Sequence, residues 1–93
     1  VKRYVWDTAK NKWLQANRSV SFEHVVLAVT AGDLLDAITH PNREKYPHQK
    51  MFIVKIRNYA YLVPFVETEH EIFLKTIIPS RKATQIYLKG EGT

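Results

Sequence analysis

Seven residues in the C-terminal half carry the side chains that could handle a phosphate: Lys55, Arg57, Tyr59, Tyr61, Lys75, Arg81 and Lys82. Lysine and arginine bind phosphate oxygens and stabilise charge developing on them, while tyrosine stacks a base or passes a proton. Single-stranded RNA offers unstacked bases and supplies its own nucleophile in the 2′-hydroxyl, so such a set can cut RNA with neither a metal nor a cysteine. In that reading Arg81 and Lys75 bind or stabilise the phosphate, Lys55 is a second cation or a base, and Tyr61 stacks a base or transfers a proton. Lys82, Arg57, Tyr59 and His40 then contact the RNA. The same basic face equally suits a module that binds nucleic acid or an acidic protein without cutting anything. A blander reading leaves Lys75 at a sheet margin with its ammonium in water and Arg81 and Lys82 on a surface helix.

Other chemistry has little to stand on. Three glycines leave few turns for cradling phosphate, and no glycine-rich loop, His-Glu-x-x-His helix or nucleophile elbow is present. Nucleotide-cofactor chemistry is not expected, nor is any other small-molecule cofactor. The four histidines, His24, His40, His48 and His70, have no i, i+4 pairing that would read as a metal site. Asp36 and His40 fall on one face of an expected strand, where a solvated edge explains them as well as a shared site does. With no cysteine, disulfides and thiolate chemistry are both excluded.

A chain of 93 residues, 45% of them hydrophobic, is long enough for one core and too short for two, so residues 1–93 are read as a single domain. A net charge of +5 favours an anionic partner: nucleic acid, an acidic protein or a membrane surface. No apolar run approaches the roughly 20 residues of a bilayer span. Lys2 and Arg3 are not followed by the apolar stretch of a signal peptide. The expectation is a cytoplasmic protein with no membrane partner.

The elements that must position the basic set follow from periodicity and punctuation. Tyr4, Val5 and Trp6 favour a strand, and Asp7 caps a helix over Thr8 to Asn17 in which Ala9, Trp13 and Ala16 recur at helical spacing. Ser21 opens a second helix with a stripe of Phe22, Val25, Val26 and Val29, and Gly32 is its C-terminal stop. A strand then places Leu34, Asp36, Ile38 and His40 on one side and Leu35, Ala37 and Thr39 on the other. Pro41 to Gln49 reads as a polar surface loop, more mobile than the sheet. Met51 to Ile56 and Tyr59 to Val66 form a hairpin about Arg57 and Asn58, with Ile56 opposite Tyr59 and Val54 opposite Tyr61. Pro64 argues for a bulge or a switch of pairing in the second of these strands.

The last strand starts at Glu71 and stops at Pro79, and Ser80 caps a short helix that opens with Arg81 and Lys82, where free N–H groups favour an anion. A four-residue turn from Glu67 to His70 would pair Val66 with Glu71 and keep Phe73, Lys75 and Ile77 on the tyrosine face. A slip of one residue would instead bring Lys75 to the face of Lys55. The order β-α-α-β-β-β-β-α predicts an α+β domain, an antiparallel sheet with two N-terminal helices on one face and a short C-terminal helix. Its core is expected to include Phe22, Val26, Val29, Phe52, Val54, Leu74 and Ile78.

Three stretches also resemble a known family. Val5-Trp6-Asp7 with Lys10 and Asn11, then Ser21-Phe22-Glu23, then Ile77-Ile78-Pro79-Ser80-Arg81-Lys82-Ala83 are similar to the BrnT-like toxins, and the likeness runs over nearly the whole chain. The resemblance implies a RelE-like fold and an RNA-cleaving toxin of a bacterial type II toxin–antitoxin pair, acting on RNA such as mRNA and held inactive by a small DNA-binding antitoxin. Two departures bear on the chemistry. Asn17-Arg18-Ser19 stands where family members often carry Lys-His-Gly, so no histidine acid or base is expected from that loop, and Lys75 stands where they carry arginine.

Overall fold

Arg57 and Asn58 take up φ of 52° and 64°, the left-handed pair of a type I′ turn whose twist matches the strands it joins. That turn fixes the register of the longest hairpin, β3 (Gln49–Ile56) with β4 (Tyr59–Glu67), as expected: Ile56 faces Tyr59, Val54 faces Tyr61 and Phe52 faces Val63. The computed structural model describes residues 2–39, 44–45 and 49–89. The Pro41 to Gln49 loop, and with it the expected mobility, lies outside them except for Glu44 and Lys45, which form a turn, and Gln49, which already begins β3.

Around this hairpin stand β1 (Arg3–Trp6), α1 (Thr8–Arg18), α2 (Phe22–Thr30), β2 (Leu34–Thr39), β5 (Glu71–Leu74), β6 (Ile78–Pro79) and α3 (Arg81–Tyr87). The sheet runs β1-β5-β4-β3-β2, with β6 paired to β4 beyond the end of β5. The domain is α+β, but the sheet is mixed rather than antiparallel. β1 lies parallel to β5, because the helical pair α1 and α2 carries the chain away before the remaining strands form.

The expected last strand is two strands. Phe65 pairs with Leu74, yet Leu62 pairs with Ile78, so three steps along β4 match four along the partner. One extra residue therefore sits between Leu74 and Ile78, opposite Pro64. Lys75 N–H donates to the Pro64 carbonyl at 2.8 Å, and proline has no N–H to return on that edge. The pairing switch expected at Pro64 is thus present, and it reverses which side chains face inward. Ile77 is fully buried and Ile78 is 39% exposed, which corrects the expectation that Ile78 belongs to the core. The turn before β5 is also tighter than expected: Thr68 N–H donates to Glu71 O at 2.8 Å, and Glu67 pairs with Ile72. Pairing of Phe65 with Leu74 and of Glu67 with Ile72 puts Leu74 and Ile72 on the tyrosine face while Phe73 turns away, which corrects the face expected for Phe73; the two-residue shift of register itself leaves the faces unchanged.

The main core lies between that face and the two N-terminal helices. Leu14, Val20, Phe22 and Val25 meet Phe52, Val54, Val63, Phe65, Leu74 and Ile77, and Val26 and Val29 pack at its margin. Each large side chain fully buried here contributes about 1.5–3 kcal/mol. In α1 the buried residues are Asn11 and Leu14, not the expected stripe of Ala9, Trp13 and Ala16, all three of which are exposed. Trp13 is instead flanked by Lys10 and Arg18, at 4.6 and 5.1 Å from its ring. Behind the sheet, a smaller cluster of Ile53, Ala60 and Ala83 seats α3, whose far end is held by the Tyr87 hydroxyl donating to Asp36 Oδ2 at 2.6 Å. A bulge between Leu34 and Asp36 moves Leu34 to the side of Ala37 and Thr39, so β2 does not keep the simple alternation expected of it.

Asn11 joins the two helices. Its Oδ1 accepts from Phe22 N–H at 2.7 Å and its Nδ2 donates to Glu23 Oε1 at 2.8 Å, in a site only 6% exposed. The bond from Asn11, followed by a backbone bond, holds the Glu23 carboxyl below the ordinary carboxylate range. A depressed carboxylate contributes stability that is present above its unfolded pKa, roughly 4.3, and is lost as pH falls through the folded value.

Two stability outcomes follow. Val54→Asp buries an unpaired charge where the native side chain is wholly enclosed, and a loss of about 4 kcal/mol or more, seen as the absence of a cooperative melt at 37 °C, is expected. Asn11→Ala strands the Phe22 N–H and costs about 1–3 kcal/mol in denaturant titration at pH 7. The same variant loses less further stability between pH 5 and pH 3 than the parent does; an unchanged acid limb would show that Asn11 does not govern Glu23.

Candidate nucleic-acid interface

Pro79 pairs with Tyr61, and Ser80 N–H donates to Ala60 O at 3.0 Å. These two contacts bring the start of α3 to the hairpin end of β4, so Arg81 stands beside the Tyr59 and Tyr61 segment. The two tyrosines are half-buried, with ring centroids 5.8 Å apart in an edge-to-face arrangement. The Ser80 hydroxyl accepts from Ala83 N–H at 3.1 Å, and Ala60 N–H donates to Thr84 Oγ1 at 2.9 Å, which fixes α3 on the strand. Because the cap already takes up an N–H of this seven-residue helix, an anion here would be held by the Arg81 guanidinium rather than by the helix terminus. Arg81 and Lys82 are exposed, and among the described residues neither side chain has an ion-pair or hydrogen-bond partner.

The remaining candidates are dispersed. Lys75 is exposed at the bulge with its ammonium 6.0 Å from the Phe73 ring, while Lys55 pairs with Ala60 at the other end of β4. From Ala60 to Pro64 is four residues, roughly 13 Å at about 3.3 Å per residue, so the two lysines do not converge. Lys55 faces Asp33 at 3.6 Å. Arg57 donates from Nη2 to the Ser19 carbonyl, where Ser19 ends α1 in the left-handed conformation without a glycine. His40 lies outside the described residues. The structure thus brings the backbone at Arg81 alongside the Tyr59 and Tyr61 segment of β4, with α3 on the Ala60 face of the sheet and the Tyr61 ring on the core face, and it leaves Lys75 apart.

Two further residues matter here, to which the sequence alone assigned no role. Arg18 Nη1 donates to the Ile77 carbonyl at 2.5 Å, which gives the bulge a partner from the last turn of α1. His24 is half-buried and completes a capping box with Ser21: Ser21 N–H donates to His24 Nδ1 at 3.0 Å while the Ser21 hydroxyl accepts from His24 N–H at 3.3 Å. The Ser-x-x-His spacing was the available signal, with imidazole in the place usually held by Glu or Gln. Among the described residues no three His, Asp or Glu side chains gather as metal ligands, and no helix is long and apolar enough to cross a membrane. No family model, curated protein or solved structure matches the chain, so what these residues do is argued from their own chemistry and placement.

Proposed function

We propose that this chain is a RelE-like endoribonuclease, the toxin of a bacterial type II toxin–antitoxin pair, which cleaves RNA in the cytoplasm without a metal and is neutralised by a DNA-binding antitoxin. The observation that supports the reading is the pairing of β6 with β4, which starts α3, with exposed Arg81 in its first turn, at the end of β4 that carries Tyr59 and Tyr61; among the described residues Arg81 has no ion-pair or hydrogen-bond partner. Arg81 would bind the scissile phosphate and stabilise the charge that builds on it, and Tyr61 or Tyr59 would stack a base or relay a proton. Lys82 supplies a further phosphate contact on the same helix. Also supporting the reading are two helices preceding a strand-rich half and a strand-to-helix crossing at Ile77 to Ala83, in a mixed sheet with one strand more than expected.

The dispersal of the cations favours a second reading. Lys75 is remote and Lys55 is compensated by Asp33, an arrangement suited to tracking a backbone over some length rather than to concentrating charge on one phosphate. In that case the chain is a binding module that acts by occupancy alone.

Arg81→Ala separates the two. It should leave stability within ~0.5 kcal/mol, as for an exposed side chain away from caps and core, while lowering cleavage of a labelled RNA, or growth inhibition without antitoxin, by about 10²-fold or more. Arg81→Lys should recover only part, since a point charge lacks the planar fork. Normal melting with normal cutting would remove Arg81 from the site. A wild type that binds RNA in a salt-dependent way but never cuts it, with or without ribosomes, would establish the binding reading.

A further inference from the structure

Across the hairpin from Arg81, a cleft of about 220 Å³ opens between α2 and the ends of β2 and β3, lined by His24, Leu27, Ala31, Asp33, Lys55 and Arg57 among others. Three of these residues are donors whose bonding is incomplete in a way that points to one ligand. His24 Nδ1 is taken as an acceptor by Ser21 N–H, which places the ring proton of the neutral imidazole on Nε2 and leaves that nitrogen for the cleft. The ring is held in place because it belongs to the cap of α2. Lys55 approaches Asp33 at 3.6 Å, a distance at which charge is balanced but an ammonium still has hydrogens to give. Arg57 uses one terminal nitrogen on the Ser19 carbonyl and keeps its other N–H groups.

A fixed N–H donor, an ammonium and part of a guanidinium around a cleft of this size match a tetrahedral phosphate oxyanion. We infer that the cleft between α2 and the hairpin binds a phosphate group, held by His24 Nε2, Lys55 and Arg57. Asp33 opposes the ligand and sets its affinity, because the carboxylate both repels a phosphate and competes for Lys55. Leu27, Ala28, Ala31 and Ile56 line the rest of the cleft with apolar groups, so among the described residues the charged side chains and His24 make the polar contacts and the site reads the phosphate rather than what is attached to it. The phosphate is either that of an RNA backbone or free inorganic phosphate, which share charged non-bridging oxygens and differ in the number of oxygens left unesterified. The site is separate from the Arg81 group, and its readout is binding, so a protein that cuts RNA without a response at His24 would lose this inference and keep the other.

The test is a titration of the ¹⁵N-labelled chain, following the His24 ring nitrogens by NMR at constant ionic strength, with inorganic phosphate in one arm and a short single-stranded oligoribonucleotide in the other. The expected result is a saturable shift at His24 in at least one arm, and the arm that responds names the source of the phosphate. Lys55→Gln should weaken the midpoint about tenfold or more, as for loss of a charge-assisted bond, and Asp33→Asn should tighten it by about threefold. Asp33→Asn also keeps the test decisive if Lys55→Gln melts abnormally. No shift at His24 in either arm, or a midpoint that neither substitution moves, would overturn the site.

Discussion

Proline at position 64 leaves β4 with one missing donor, and much of the structure depends on that absence. On the edge where β5 pairs, Pro64 accepts from Lys75 N–H and returns nothing, so the antiparallel ladder cannot continue through it. The chain responds with one extra residue, after which β6 resumes with the opposite parity. The consequences run in two directions. Inward, Ile77 rather than Ile78 closes the core against the N-terminal helices, and its carbonyl, displaced from the ladder, is taken by Arg18 from the end of α1. Outward, Pro79 arrives opposite Tyr61 and Ser80 bonds to Ala60, which starts α3, and Arg81 with it, at the end of β4 that carries the tyrosines.

The helices are fixed by polar bonds at their ends as much as by apolar burial. Asn11 links α1 to the first turn of α2, His24 and Ser21 cap that turn, and Arg57 reaches from the hairpin to the carbonyl at the end of α1. Since the same hairpin carries Lys55, Arg57, Tyr59 and Tyr61, the segment that anchors the fold is also the one that presents the candidate chemistry. Some of its cations are therefore committed, Lys55 to Asp33 and Arg57 to Ser19, while Arg81 and Lys82 stand clear. That division is why the proposed cleavage chemistry centres on Arg81 and why the phosphate cleft, whose donors are only partly engaged, is a separate feature.

What could be read from the sequence was local. Arg57-Asn58 specified both turn and register, Asp7, Ser21 and Ser80 each capped the helix they precede, and Pro64 flagged the break in pairing. What escaped was set by non-local geometry. The parallel pairing of β1 with β5 joins residues some seventy positions apart, and no short-range pattern encodes it. The side of Ile77 and Ile78 depended on counting one bulged residue, and the alternation of β2 failed for the same reason between Leu34 and Asp36. In α1 the periodic Ala9, Trp13 and Ala16 were misleading because a buried Asn11 occupies the inward face, a choice explained only by Phe22 and Glu23 across the helix junction. The basic and aromatic set was recognisable by type, but which members meet was not, because Lys75 and Lys55 are separated by the length of the strand between them.

The claim on which the rest stands is the reversal of parity after Pro64, and paired truncation of the two adjacent isoleucines tests it directly. Equilibrium denaturation of Ile77→Ala and Ile78→Ala should show the first losing about 2–5 kcal/mol, as for a buried aliphatic side chain, and the second less than about 1 kcal/mol, as for a largely exposed one. The opposite order, with Ile78→Ala the costly change, would mean that the strand runs through Pro64 without the extra residue, and the placement of Arg81 beside Tyr61 would fall with it.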